Sequence, residues 1–265
     1  MSGVVSPALV LARRTLLNAI DALGAHRDTL ILVGAQAVYV HTDDAGLRTS
    51  PFTTDADLAV VPTELAPSPL IDELMAAAGF APRDGPGGWI SSEGVLVDLL
   101  VPDSLAGKGS RGADLGPHGR RARRATGLEG VVVDRDRHVV HALGPNDPRA
   151  ATLWVAGTAA LLVAKVHKIE ERIPHDRTEA KDALDVFRLL KAIPTAYLAD
   201  RLAMLRASPV AAPATRRALR QLPAIFGAPD APGVRMAVAA SDGDDPDIVA
   251  ASLVALVNDL IDACG

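Results

Sequence analysis

Leu30 to Val61 is the stretch that most restricts what this chain can fold into. It opens with four apolar residues, Leu30-Ile31-Leu32-Val33, and stops at Gly34. A short apolar segment, Ala35 to Val40, is followed by a polar, Gly-containing loop, and the stretch closes with Thr53-Thr54-Asp55-Ala56-Asp57-Leu58-Ala59-Val60-Val61. The pattern predicts strand, glycine turn, helix, loop and strand. Asp55 and Asp57 lie two residues apart on the second strand, so their carboxylates leave the same face. Held side by side they repel, and burying them uncompensated is costly. A hard divalent cation relieves both problems, and magnesium suits two carboxylates combined with phosphate oxygens. The plainer alternative is a strand end where two acids face water, and Asp-x-Asp alone does not choose between them.

A further acid lies in Val95-Leu96-Val97-Asp98-Leu99-Leu100-Val101, where Asp98 is central in an apolar run. Taken together, the strand ending in Gly34, the helix and the strand bearing Asp55 and Asp57 resemble the nucleotidyltransferase superfamily of the polymerase-beta type. The resemblance implies that the glycine turn, here Gly34 and Ala35, contacts the triphosphate of a nucleoside triphosphate donor. It also implies that Asp55 and Asp57 hold Mg2+ or Mn2+, and that Asp98 serves a second metal or activates the attacking hydroxyl. The chain departs from that pattern at Ala35, where Gly or Ser is usual, and in the long gap from Gly34 to Asp55.

With 265 residues, 49% of them hydrophobic and 22% charged, the chain is expected to be globular, with one large domain or two modest ones. Aromatics are only 3%, which argues against base-stacking platforms for single-stranded nucleic acid. A net charge of -5 excludes a uniformly basic nucleic-acid binder but leaves room for a local basic patch. The single cysteine, Cys264, permits no internal disulfide, and no stretch approaches the ~18 apolar residues of a membrane span. A soluble, cytoplasmic protein without membrane contact is the expectation.

Ser6-Pro7 predicts a helix start, with Leu9, Leu16, Leu17, Ile20 and Leu23 at helical spacing and Gly24 as the stop. Pro67 to Gly79 reads as another helix, and Trp89-Ile90 with Val95 to Val101 as a hairpin. Lys108 sits in Gly107-Lys108-Gly109-Ser110, which lacks the spacing of a P-loop. Arg120, Arg121, Arg123 and Arg124 form a tight basic cluster, readable as a solvated helix face or as a contact with triphosphate or RNA phosphates. Val131 to Val133 and His138 to Leu143 predict a further hairpin. Gly144-Pro145-Asn146-Asp147-Pro148 suggests a boundary, giving domains at 1–146 and 147–265. Beyond it the pattern reads as helical: Thr152 to Arg172, Thr178 to Leu190, Ala196 to Ala207, Thr215 to Phe226 and Pro246 to Ala263. The expected fold is α+β, a small mixed sheet with flanking helices followed by an all-helical domain.

Two helical segments extend the resemblance. Leu161-Leu162-Val163-Ala164-Lys165, continuing to Arg172, and Lys181-Asp182-Ala183-Leu184-Asp185 are similar to the C-terminal pattern of AbiEii-type nucleotidyltransferase toxins of toxin–antitoxin and abortive-infection systems. On that resemblance Lys165 binds nucleotide phosphate, and Asp182 orients Lys165 or acts in catalysis. Lys165, Lys168 and Arg172 share one helix face, as do Asp182 and Asp185. The alternative is a salt-bridge network between two helices, worth ~1 kcal/mol at an exposed surface. A phosphate-binding Lys165 predicts that Lys165→Met leaves the unliganded protein's melting temperature unchanged. His167 and His175 show no metal-ligand spacing.

The expected activity is therefore transfer of a nucleotidyl group to a macromolecular acceptor, the 3′ end of tRNA or a protein hydroxyl, by a toxin-type enzyme with a possible cognate antitoxin. The alternatives are a small-molecule, antibiotic-modifying nucleotidyltransferase and a catalytically silent binding or regulatory protein. A glycosyltransferase using Asp-x-Asp fits less well, since too few residues precede Asp55 for the longer nucleotide-binding sheet that such enzymes carry.

Overall fold

The computed structural model describes residues 5–42, 47, 52–173 and 180–265. The Gly-containing loop before Thr53, His175 and the expected helix start at Thr178 fall wholly or largely outside them. The chain is α+β, and it divides into two compact units: 1–37 with 50–125 and 135–156, and 38–49 with 126–134 and 157–265.

The first unit is built on a mixed sheet. Helix α1 (Pro7–Ala22) begins as its sequence dictates: Ser6 Oγ accepts the Leu9 N–H at 3.2 Å and Pro7 takes the first helical position. Its apolar stripe, including Leu9, Leu16, Leu17 and Ile20, is buried. Strand β1 (Leu30–Val33) is buried at every residue and leads into helix α2 (Gly34–His41). Then come β2 (Asp55–Val60), helix α3 (Ile71–Ala77), β3 (Ala81–Pro82), β4 (Gly88–Ile90), β5 (Leu96–Pro102), β6 (Arg123–Ala125), β7 (Arg135–His141) and β8 (Ala150–Ala156). The strand order is β3-β4-β5-β2-β1-β8-β7, with β6 paired to β5. β1 runs antiparallel to β2 and parallel to β8, and β2 runs parallel to β5.

Four expectations are corrected by the structure. Thr152 to Arg172 is not one helix, because Ala150–Ala156 forms β8. Ala151, Leu153 and Val155 are buried while Ala150 and Thr152 are exposed, a period of two that the Ala and Leu content had obscured. β8 is therefore the hairpin partner of β7, and Val131, expected in that role, lies in a 3-10 turn at Glu129–Val132. Arg123 and Arg124 belong to a short strand, not a helix face. The boundary expected at 146/147 falls within the β7–β8 hairpin, and the chain passes to its second unit at Gly157.

The second unit is helical: α4 (Thr158–Arg172), α5 (Lys181–Ala192), α6 (Thr195–Ala207), α7 (Ala212–Phe226), α8 (Pro232–Ala240) and α9 (Pro246–Cys264). Helix α8 had no counterpart in the sequence reading. α4 is capped from a distance: fully buried Asp134 accepts the Ala160 N–H at 2.9 Å and pairs with Arg201, whose Nε lies 2.8 Å away. A Cβ on Gly157 would meet Asp134 Oδ1 at 2.0 Å, so only glycine fits there. Asp245 caps α9, accepting from Asp247 N at 3.0 Å and Ile248 N at 3.3 Å. Phe187 and Phe226 are among the largest fully buried side chains. Among the described residues no helix is long and apolar enough to cross a membrane.

Candidate functional site

Strand pairing decides which acids meet. In the parallel ladder of β2 and β5, Asp57 is the register partner of Asp98, and on the other side of β5 Asp98 is opposite Gly88 of β4. Register partners point to the same face, about 4.8 Å apart across the ladder. Asp55 leaves β2 on that face too, two residues before Asp57. The sheet thus brings Asp55, Asp57 and Asp98 together on one surface. All three are half-buried.

Residue 34 sits directly against this surface. Gly34 has φ +70, a left-handed backbone that favours glycine, and an added Cβ would lie 2.0 Å from Asp57 Oδ2. Both the turn and the carboxylate therefore require that position to be glycine. Ala35 follows, buried in the first turn of α2. Gln36 is buried as well, and its side chain ties the turn to the acid strand: Nε2 donates to the Asp55 carbonyl at 2.9 Å, and Oε1 accepts from Arg13 Nε at 2.8 Å. Arg13 also donates to the His141 carbonyl at 2.9 Å. The buried Thr53 hydroxyl donates to Asp55 Oδ1. Gln36, Thr53 and Arg13 are the site residues that sequence reasoning missed. The one available signal was Arg13, a charge on the apolar stripe of α1.

Three of the four clustered arginines are engaged with acids. Arg121 pairs with Asp72, and Arg123 donates to Asp98 Oδ2 at 3.1 Å. Arg124 donates through Nε to Asp103 Oδ1 at 2.9 Å and through its other nitrogens to the Asp103, Gly107 and Gly109 carbonyls. Arg124 thereby staples the Gly-rich loop, whereas Arg123 lies beside the carboxylate surface.

In the second unit α4 and α5 bring Lys165, Asp182 and Asp185 together. Lys165 Nζ donates to Asp182 Oδ1 and to Asp185 Oδ2, both at 2.6 Å. The three side chains are 5%, 1% and 2% exposed, so this is a buried ion cluster and not the exposed network weighed from the sequence. Arg172 reaches Asp182 Oδ2 at 2.6 Å and Lys168 reaches it at 3.4 Å. Burial would lower the Lys165 pKa, but Asp182 and Asp185 outweigh it and hold the ammonium charged well above its ordinary value. Burial acts to raise the Asp182 carboxyl, yet Lys165, Lys168 and Arg172 together keep it below the usual carboxylate range. Asp185 is pushed up, because burial and the Asp182 charge exceed what Lys165 supplies. His167 is buried and bonds the Ala214 carbonyl at 2.9 Å, a packing role.

Compared with protein-family models and with curated proteins, the chain matches none.

The first unit's residues suit a hard cation. Asp55, Asp57 and Asp98 supply carboxylate oxygens on one face, and Gly34 leaves the space that keeps the Asp57 carboxylate in place. Among the described residues no group of three or more His, Cys, Asp or Glu side chains is placed so that it could hold a metal ion. Asp98 is held by Arg123, so it would have to leave that partner to serve as a ligand.

Proposed function

We propose that this chain is a metal-dependent nucleotidyltransferase that uses a nucleoside triphosphate as donor. The observation that carries the reading is the packing of Gly34 against Asp57 in a sheet that sets Asp57 beside Asp98. A strand, a left-handed glycine and a helix start put backbone N–H groups close to a carboxylate surface, an arrangement suited to phosphates carried with a divalent cation. Asp55 and Asp57 would hold Mg2+ or Mn2+, with Asp98 completing the set. Bound there, the cation would offset charge on the transferring phosphoryl group. The protein's own share is positioning. Gln36 and Thr53 fix the Asp55 end of β2, and Gly34 keeps the Asp57 carboxylate from being displaced.

Lys165 and Asp182 enter this reading as a link between α4 and α5. The ammonium's two hydrogen bonds and its burial support a role in holding α4 to α5, and a phosphate contact by Lys165 would require it to leave both carboxylates. The acceptor proposed from the toxin resemblance is an RNA 3′ end or a protein hydroxyl, with an antitoxin as partner. Arg120 and Arg121, which lie outside the Arg123–Asp98 and Arg124–Asp103 pairs, favour RNA.

The test is incubation of the full chain with each labelled triphosphate, Mg2+ and total RNA, watching which macromolecule becomes labelled. Asp57→Asn keeps the shape and removes the charge, and labelling is expected to fall at least ~100-fold. Undiminished labelling by both Asp55→Asn and Asp57→Asn would end this reading.

A further inference from the structure

Asp98 stands in a row of three register partners, Asp57, Asp98 and Gly88, and its own carboxylate is engaged by Arg123 at 3.1 Å. The base of Arg123 is fixed. Its Cα is in register with Leu100 on β5, and Gly87, at φ +81, packs so closely that a Cβ there would meet the Arg123 nitrogen at 2.5 Å. The head of the side chain is not fixed in this way. The Arg123 and Asp98 side chains are 49% and 33% exposed, and Gly88 places no side chain over Asp98. The ion pair is thus a single solvent-accessible contact, which is a weak one. A guanidinium is also the side chain best shaped to grip phosphate through two parallel N–H groups.

We propose that Arg123 is an exchangeable counter-ion for Asp98, resting on the carboxylate when no donor is bound and moving to the donor's phosphates when Asp98 turns to the cation. The inference rests on the nucleotidyltransferase reading and adds to it a phosphate-binding residue and a resting state. The carboxylates on this surface need a compensating positive charge in either state. Asp55, Asp57 and Asp98 repel one another, and Arg123 offsets one of those charges. A divalent cation on the acids would make the Arg123 charge redundant there, while the accompanying phosphates would give it a new partner one side-chain swing away.

Mn2+ binding to the full chain, followed from the free-ion electron paramagnetic resonance signal, tests the exchange without any turnover. With no phosphate present, Arg123→Gln should tighten Mn2+ about two- to fivefold, the range expected from relieving an exposed ion pair. Asp98→Asn should weaken Mn2+, and Arg123→Gln should then add nothing on that background. With inorganic triphosphate and Mn2+ present, Arg123→Gln should weaken triphosphate binding about tenfold, and Arg123→Lys should recover part of it. Unchanged denaturation midpoints would exclude a folding defect. If Asp98→Asn weakens Mn2+ but Arg123→Gln changes neither Mn2+ nor triphosphate binding, the exchange is overturned and the acid site stands. If none of the three acids affects Mn2+, the site reading and the exchange fall together.

Discussion

Lys165→Met is the perturbation whose magnitude the structure changes most. Methionine keeps the apolar stem and removes the charge, so Asp182 and Asp185 remain at 1% and 2% exposure without the ammonium between them. Asp182 keeps Arg172 at 2.6 Å and Lys168 at 3.4 Å, so the cost falls mainly on Asp185. Removing one partner of a buried pair costs about 3–5 kcal/mol, on the order of 10 °C in melting temperature for a unit of this size. The unchanged melting temperature that a phosphate-binding Lys165 predicts is therefore replaced by a large loss. Lys165→Met/Asp185→Leu should recover at least half of it, since an apolar pair needs no compensation. The pH dependence gives an independent sign. Asp185 is already raised, and without Lys165 it rises further, so the variant's deficit is largest where that carboxylate is charged. The deficit should shrink as pH falls from 8 toward the unfolded value of about 3.9. In the wild type the Lys165 pKa is raised, so its contribution is complete below about pH 10.4 and declines as pH climbs through the folded value. Urea denaturation of both proteins across that range is the assay. A variant within about 0.5 kcal/mol of wild type at every pH would refute the buried cluster.

Two further predictions follow from the first unit. Gly34→Ala should cost about 1–3 kcal/mol, because alanine is forced to φ +70 and its Cβ meets Asp57; Mn2+ titration should show the same weakening as Asp57→Asn. Arg120→Gln with Arg121→Gln should weaken RNA binding and flatten its log-log salt dependence by roughly 1.4, about 0.7 per charge, while leaving triphosphate binding alone. Loss of triphosphate binding instead would move those arginines to the donor pocket.

The elements that carry the carboxylate surface were legible because they are short and strongly patterned. Four buried residues ending in a left-handed glycine and a strand with acids at i and i+2 are local signals, and the structure places them as read. What escaped was non-local. Nothing in Ala150–Ala156 announces that its partners are β7 and the distant β1, and its Ala and Leu content suits a helix equally well. Gln36, Thr53 and Arg13 matter through contacts made by the fold, invisible to spacing alone. The Lys165 cluster was legible as shared helix faces, but its burial was not, and burial is what turns a marginal surface network into a costly one to break.

Because β8 lies beside β1, the middle of the sheet is finished by residues that leave the ribosome long after its first strand. Until Ala156 is out, β1 carries an unpaired edge of Leu30, Ile31, Leu32 and Val33, all apolar and free to template another chain. A fragment ending at 146 would keep that edge open permanently. The acid surface spans only Gly34 to Asp98 in sequence, yet the open flank of its first strand is closed only by a piece of chain that reaches Ala156.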